Sequence, residues 1–335
     1  EIYEKTPDRG LRIGSTFGGE NHLGVKLPAT GLGFGVFTDT SSLTRVTVPR
    51  EFIRLLTQGN EINESYSAST EFVQRSFVET GGYATYEYVG FLFSAKLSTF
   101  TPLAYTDTDT EATFELSTSG DGTVEGAISA QGDIYTSAGD EGTEGFGFNV
   151  SLGAIKPDED GKPLYGAAIN SIPIVAARPG YAFDVEQYRY TFQGQDLLNS
   201  FEGGGDVFDT TESEGDAESV ALDDDDRPRI HMPISLSGFY RFGVPVVDII
   251  PSAEVVFGDY PRLNGHVRVE GNVLPANIFS VGLGYQDFLW QGYFGLRAPF
   301  RAVEAEFQIQ AVGTEIAGVF DGRGLGFSLS MAFGY

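Results

Sequence analysis

Cysteine is missing from all 335 residues, so neither a disulfide nor a thiolate enters the argument. A chain without stray thiols suits an oxidising compartment. Long apolar runs are missing too. No stretch approaches the ~18 residues of a membrane-crossing helix, and mean hydropathy is −0.10. Positive charge is scarce, with Lys and Arg at 21 against 47 Asp and Glu, a net charge of −26. Nucleic-acid partners are excluded on that balance, because phosphate binding needs clustered Lys and Arg. The acidity suits a surface that meets divalent cations, or a saline habitat. Catalytic machinery is thin: His22, His231 and His266 are scattered, and no Ser–His–Asp order carries a nucleophile elbow. A hydrolase using His266 with a neighbouring Ser or Asp is the minor alternative to a non-enzyme. The glycine-rich GLGFG at 31–35 lacks a preceding strand and a following helix, so it predicts no phosphate cradle and no cofactor. The chain opens at Glu1 without a signal peptide, which fits either a mature export product or a chain never exported.

What the chain has in quantity is Gly (44), Phe (27) and Tyr (16), arranged with a period of two. In the final stretch GLGFSLSMAFGY, Leu325, Phe327, Leu329, Met331, Phe333 and Tyr335 share one parity, and Gly324, Gly326, Ser328, Ser330, Ala332 and Gly334 share the other. That alternation marks a strand whose faces see different surroundings. Similar segments recur upstream, including Val303–Ala311, Phe279–Gln286 and Leu263–Glu270, and seven strands follow one another from about residue 230. Further strands are predicted near 180–192, 164–176, 145–155, 123–135, 111–118, 85–98 and 68–78. The sum is about fourteen (range roughly twelve to sixteen) over 68–335, with spans of the ~9–11 residues a tilted membrane strand needs.

The small parity is repeatedly Gly, Ser or Ala instead of the Lys, Glu and Thr of a solvated sheet. Aromatics (Tyr260, Tyr285, Phe288, Trp290, Tyr293, Phe333, Tyr335) gather near strand ends, as in the girdles of membrane barrels. The predicted fold is therefore all-β: a transmembrane antiparallel up-and-down barrel, against the alternative of a soluble sandwich or lectin-like sheet stack. Residues 195–228, acidic and Gly-rich, read as a long extracellular loop, with the charged turn at 156–163 on the same side. Residues 1–67 are predicted to form a plug- or hatch-like segment with a helix near 48–59, Thr47 as its N-cap and Gly59-Asn60 as its terminator. Phe52, Leu55 and Leu56 give that helix an apolar stripe suited to blocking the lumen.

The ending also resembles the C-terminal insertion signal of bacterial outer-membrane β-barrel proteins. Ser328, Phe333 and Tyr335 match its polar, third-from-last and last positions, and Ser330 stands where Gly is usual. This resemblance implies an outer-membrane location, a lipid bilayer and lipopolysaccharide as surroundings, and the barrel-insertion machinery as a partner. A strand count near fourteen behind an N-terminal plug resembles, more loosely, the long-chain fatty-acid transporter family of outer-membrane proteins, which passes hydrophobic substrates sideways through a strand kink. That family's Asn-Pro-Ala motif is missing here, where LPATGLGFG is the nearest stretch.

Function is then expected to be passive uptake of small-molecule solutes. The alternative is a plugged structural or surface-interaction barrel whose acidic loop contacts ions, lipopolysaccharide or a partner. The inward parity carries Glu304, Glu306, Gln308, Gln310, Arg268, Glu270, His266, Arg241 and Arg297. They read either as a selective constriction or as a self-satisfying network of paired charges. Asp223, Asp224, Asp225 and Asp226 offer oxygen ligands but lack a spaced cation loop, so a solvated acidic face is the simpler reading.

Overall fold

A computed structural model describes residues 6, 8, 10–27, 29–58, 65–106, 110–118, 124–139, 142–184, 189–194, 209–212, 220–258, 261–271, 279–286, 289–299, 303–313, 316–320 and 324–333. The architecture is nearly all antiparallel sheet. Along the chain come β1 (Leu11–Leu27), β2 (Leu32–Val48), helix α1 (Arg50–Gln58), β3 (Ser65–Tyr88), β4 (Phe91–Thr106), β5 (Glu111–Thr118), β6 (Val124–Gln131) and β7 (Asp133–Thr136). A small hairpin, β8 (Ala138–Gly139) and β9 (Gly142–Thr143), leads to β10 (Gly147–Pro157), β11 (Pro163–Val175), β12 (Tyr181–Asp184), β13 (Arg189–Gly194), β14 (Asp209–Glu212) and β15 (Val220–Ala221). The remainder is β16 (Ile234–Tyr240), β17 (Phe242–Val244), β18 (Val247–Phe257), β19 (Arg262–Gly271), β20 (Phe279–Gln286), β21 (Leu289–Pro299), β22 (Val303–Gly313), helix α2 (Ile316–Phe320) and β23 (Gly324–Phe333). No described helix is long and apolar enough to cross a membrane.

Thirteen strands pair in one antiparallel succession, β1-β2-β3-β4-β10-β11-β16-β18-β19-β20-β21-β22-β23. Among the described residues no pairing joins β23 to β1, so the sheet is not closed. Two branches leave it at one end. Ser65–Glu71 of β3 pair with β5, which continues through β6 and β13 to β14. The last residues of β4 pair with β7, then β12 and β15.

The strands expected at 111–118, 123–135 and 180–192 thus exist, but they lie in the branches. Residues 11–48, assigned above to a plug-like segment, form the β1–β2 hairpin of the main sheet. Alternation reveals that a segment is a strand and which face is apolar; it does not name the partner strand. Parity counting that treats every strand as a crossing therefore misplaces loops. Turn 158–162 falls at the opposite end from connection 176–233, not on the same side. The short turns at 28–31, 89–90 and 158–162 share one end, and the long connections 49–64, 107–146 and 176–233 share the other.

Cross-strand register separates two faces. One row reads Val25–Phe34–Ala84–Ala95–Leu152–Ile169–Leu236–Val255–Leu263 over nine adjacent strands, all apolar. On the other face a row reads Gly33–Thr85–Ser94–Gly153–Ala168–Ser237–Glu254–Asn264. Each of the thirteen strands carries at least one large apolar side chain left exposed on the first face, from Leu23 and Val25 on β1 to Phe327 on β23. The second face is narrow-walled because its glycines lie under rings: a Cβ at Gly282 would collide with Tyr293, and one at Gly147 with Phe100.

Helix α1 lies at the long-loop end. Phe52 and Leu55 are buried with Ala112, Phe114 and Leu116, and Val46, Val48, Tyr66 and Phe72 pack around them. By strand parity Tyr66 and Phe72 share the face of Tyr86 and Tyr88, so the helix covers the outward side of the branch, away from the polar face. Its first backbone bond runs from Ile53 N–H to the Pro49 carbonyl (3.2 Å), whereas Thr47 pairs with Arg12 inside the β1–β2 ladder. The chain enters the helix through Pro49, which makes the Thr47 cap unnecessary. The predicted terminator Gly59-Asn60 lies outside the described residues.

The filling of the polar face at this end comes from elsewhere. Ala177 and Ile230 bridge each other through two backbone bonds of 2.9 Å and lie, 0% and 1% exposed, against Phe77 and Phe100. At the other end the two-residue β3–β4 turn holds Val89 at φ 49° and Gly90 at φ 70°. A β-branched residue in the left-handed region is strained by about 1–2 kcal/mol, so Val89→Asn is expected to raise unfolding stability by about 1 kcal/mol in a urea titration. Gly282→Val, which drives a side chain into the Tyr293 ring, is expected to lower it by roughly 1–3 kcal/mol.

Candidate functional site

Among the described residues the polar face borders a half-open space. A cavity of about 710 Å³ is lined by residues from nine strands of the main sheet, β4 to β22. The polar groups reaching it include Glu254, Asn264, His266, Arg268, Glu270 and Tyr293. For so many consecutive strands to line one space, the sheet must curl towards its polar side. Twist and small inward residues permit that curl.

At the centre of the far wall Arg268 bridges two carboxylates. Its guanidinium lies 2.7 Å from Glu270 on the same strand and 2.7 Å from Glu306 on β22. Strands β19 and β22 are three spacings of ~4.8 Å apart, a gap closed by sheet curvature and the length of the two side chains. Gln308 Nε2 donates to the same Glu306 oxygen at 2.7 Å. Above this group, Ser252 Oγ and His266 Nε2 lie 2.9 Å apart, and Asn264 Nδ2 donates to Glu254 at 3.0 Å. The wall is therefore an ordered network of paired groups that also faces an open space. Of the charged groups lining the cavity, Glu254 and Glu270 outnumber Arg268 by one, so the lining is slightly negative.

Of the inward residues expected from the sequence, Glu306, Gln308, Arg268, Glu270 and His266 come together here. Arg297 sits opposite Glu306 in the β21–β22 register. Glu304 holds the inward register position opposite Pro299 and Ala332. Arg241 goes elsewhere: between β16 and β17, it pairs with Asp158 in the β10–β11 turn. Desolvation pushes the Asp158 carboxyl upward, but N–H groups of Lys162 and Asp160 and the Arg241 charge outweigh it and hold the group below the usual carboxylate range. Periodicity places Arg241 on the correct parity; the short β17 continuation, which breaks the strand at that residue, sets its partner.

The remaining expected residues divide among several places. Phe52 and Leu55 pack on the branch sheet as described, with Leu56 on the same helix. Ser328, Ser330 and Phe333 lie on β23 and pair with Gln308, Glu306 and Val303; Tyr335 is outside the described residues. Asp223–Asp226 form an exposed turn closed by Asp226 N–H to the Asp223 carbonyl at 3.0 Å, with Arg227 3.5 Å from Asp224. Of the long acidic loop 195–228, residues 195–208 and 213–219 lie outside the described residues, while β14 and β15 join the branches.

Aromatic residues make a second feature on the outward face. At the short-turn end Phe91 meets Phe93 (6.0 Å) and Tyr165 (6.2 Å), Tyr165 stacks on Tyr240 (6.1 Å, 2°), and Tyr240 meets Phe242 (4.5 Å). Tyr86 stacks on Tyr88 one strand away (6.2 Å). At the other end Tyr285 contacts Trp290 (5.3 Å). Tyr293, expected in such a girdle, instead points into the cavity over Gly282. Proximity to a strand end signals a girdle only when the parity is outward, and that test would have found the Phe91–Tyr240 band and rejected Tyr293.

No family model, curated protein or solved structure matches this chain.

Removing the bridging guanidinium deprives Glu270 and Glu306 of the cation they share. Arg268→Ala is therefore expected to lower stability by roughly 1–3 kcal/mol, and Arg268→Ala with Glu306→Gln to recover part of the loss in a double-mutant cycle read by urea midpoints.

Proposed function

We propose that the chain is a membrane-embedded β-protein of the bacterial outer-membrane type, whose polar face lines a path for small polar solutes. One observation carries the reading: every main-sheet strand leaves bulky apolar side chains exposed on one face, while the opposite face is polar and borders a cavity. Water-soluble sheets bury their bulky face. A face of this extent left bare in water would be an aggregation surface, and in hydrocarbon it is at its lowest free energy. Strands β10, β18, β21 and β22, each 11 residues long, suit a tilted crossing of ~9–11 residues. The aromatic band at the short-turn end fits a membrane–water interface, and the long connections then lie outside the cell.

In hydrocarbon the unpaired N–H and C=O groups of β1 and β23 would be costly. Thirteen alternating strands leave those two running parallel, and closure by their pairing makes a barrel. With no native cysteine, cross-linking is clean: Phe17→Cys combined in turn with Leu325→Cys, Phe327→Cys and Leu329→Cys is expected to give an intramolecular bond in at least one pair. Cross-links formed only between chains would replace closure with assembly of separate copies.

The cavity's Glu, Arg, His and Gln lining favours polar over hydrophobic cargo, and its negative balance favours cations. In planar bilayers the purified protein is expected to conduct with cation preference, lowered by Glu254→Gln. The Ala177–Ile230 rung, packed over the polar face, favours a second reading in which the lumen is sealed and the protein is structural. Heat-modifiable gel migration together with silent bilayers would select that reading. Monodispersity in plain buffer without amphiphile would sink both.

A further inference from the structure

We propose that Glu20, His22 and Asp39 form a binding site for one divalent transition-type cation, Zn²⁺ being the natural probe. The register of the β1–β2 hairpin places Glu20 directly opposite Asp39 and His22 opposite Phe37. Two carboxylates facing each other across a ladder repel, a repulsion that a cation bound between them would relieve. His22 Nε2 lies 3.7 Å from Glu20 Oε2 and 3.5 Å from Asp39 Oδ1, and the three ligand atoms all fall within 4.8 Å of one another. Ligands at ~2.0–2.2 Å around a tetrahedral ion stand about 3.4 Å apart, close to the first two separations.

Two of the three donors are held in place, while Glu20 is 76% exposed. The His22 ring is stacked on Phe37 (5.7 Å, 17°) and tilted against Tyr83 (6.1 Å). Lys96 Nζ, 4.0 Å over the Phe37 ring, takes the far oxygen of Asp39, Oδ2, at 3.4 Å. The near oxygen, Asp39 Oδ1, is shielded from solvent and accepts no hydrogen bond. This carboxylate oxygen, the imidazole nitrogen it faces and the second carboxylate alongside offer three donor atoms to one ion. One nitrogen and two carboxylates suit Zn²⁺ and its neighbours; Ca²⁺ and Mg²⁺ prefer oxygen throughout. Three protein ligands leave a position open to water or a solute. The site stands independently of the membrane reading, since its geometry lies within one hairpin and the adjoining strands.

The test is Zn²⁺ titration of the full chain in detergent, by calorimetry, with millimolar Ca²⁺ present to occupy the exposed acidic residues. One Zn²⁺ per chain is expected. His22→Ala, His22→Gln and Asp39→Asn should each weaken binding by at least about tenfold, with the circular-dichroism spectrum unchanged in at least one of them. Lys96→Gln, which frees Asp39, should tighten it. Co²⁺ should give a visible d–d absorption that disappears in His22→Gln. Zn²⁺ binding that ignores both His22 variants, or that Ca²⁺ abolishes, would overturn the proposal in favour of ordinary carboxylate binding. No Zn²⁺ binding at all would overturn it outright.

Discussion

An unbroken antiparallel ladder with one bare apolar face is the constraint on which the rest of this structure depends. Each strand must keep its bulky residues on the same side as its neighbours' across twelve successive pairings. A slip of one residue anywhere would send a whole strand's Leu and Phe into the polar interior. The small residues of the inner parity follow from the same constraint. A sheet curling towards one side crowds that side, and Gly282 and Gly147 leave the room that Tyr293 and Phe100 occupy.

Charge is organised by this geometry. The inner face pairs its ionic groups in several places, among them Arg268 with Glu270 and Glu306, Lys96 with Asp39 beside His22 and Glu20, Arg45 with Glu71, and Lys26 with Glu87. Each Arg or Lys serves carboxylates that are only partly exposed to water, where unpaired charge is costly. The most acidic stretches of sequence are by contrast at the long-loop end, where Asp223–Asp226 stay exposed. The large negative total therefore describes mainly the loops, while the interior is close to internally paired.

Helix α1 illustrates how a correct local reading leaves its tertiary role open. Its existence, position and buried residues Phe52 and Leu55 were legible from spacing and from Pro49. Its location was not, because a narrow apolar stripe serves equally well against a lumen wall or the outside of a branch sheet. What determined the outcome was β3, whose 24 residues outrun their partners and recruit β5, building a surface for the helix to cover. The filling of the polar face at this end falls instead to Ala177 and Ile230, two residues with no periodic signal around them.

By itself the sequence determined the all-β class, the seven-strand run from residue 230, and the parity of those strands and of the segments 85–98 and 145–155, because a pleated strand translates alternation directly into two faces. It also determined the inward grouping of Glu306, Gln308, Arg268, Glu270 and His266, since same-parity residues on nearby strands share a face. Only the tertiary structure decided which strands neighbour which: that 11–48 joins the main sheet, that 111–131 and 181–194 branch from it, and that Glu20, His22 and Asp39 converge. Pairing is a choice among distant partners made by backbone hydrogen bonds, and those bonds carry no side-chain signature to read.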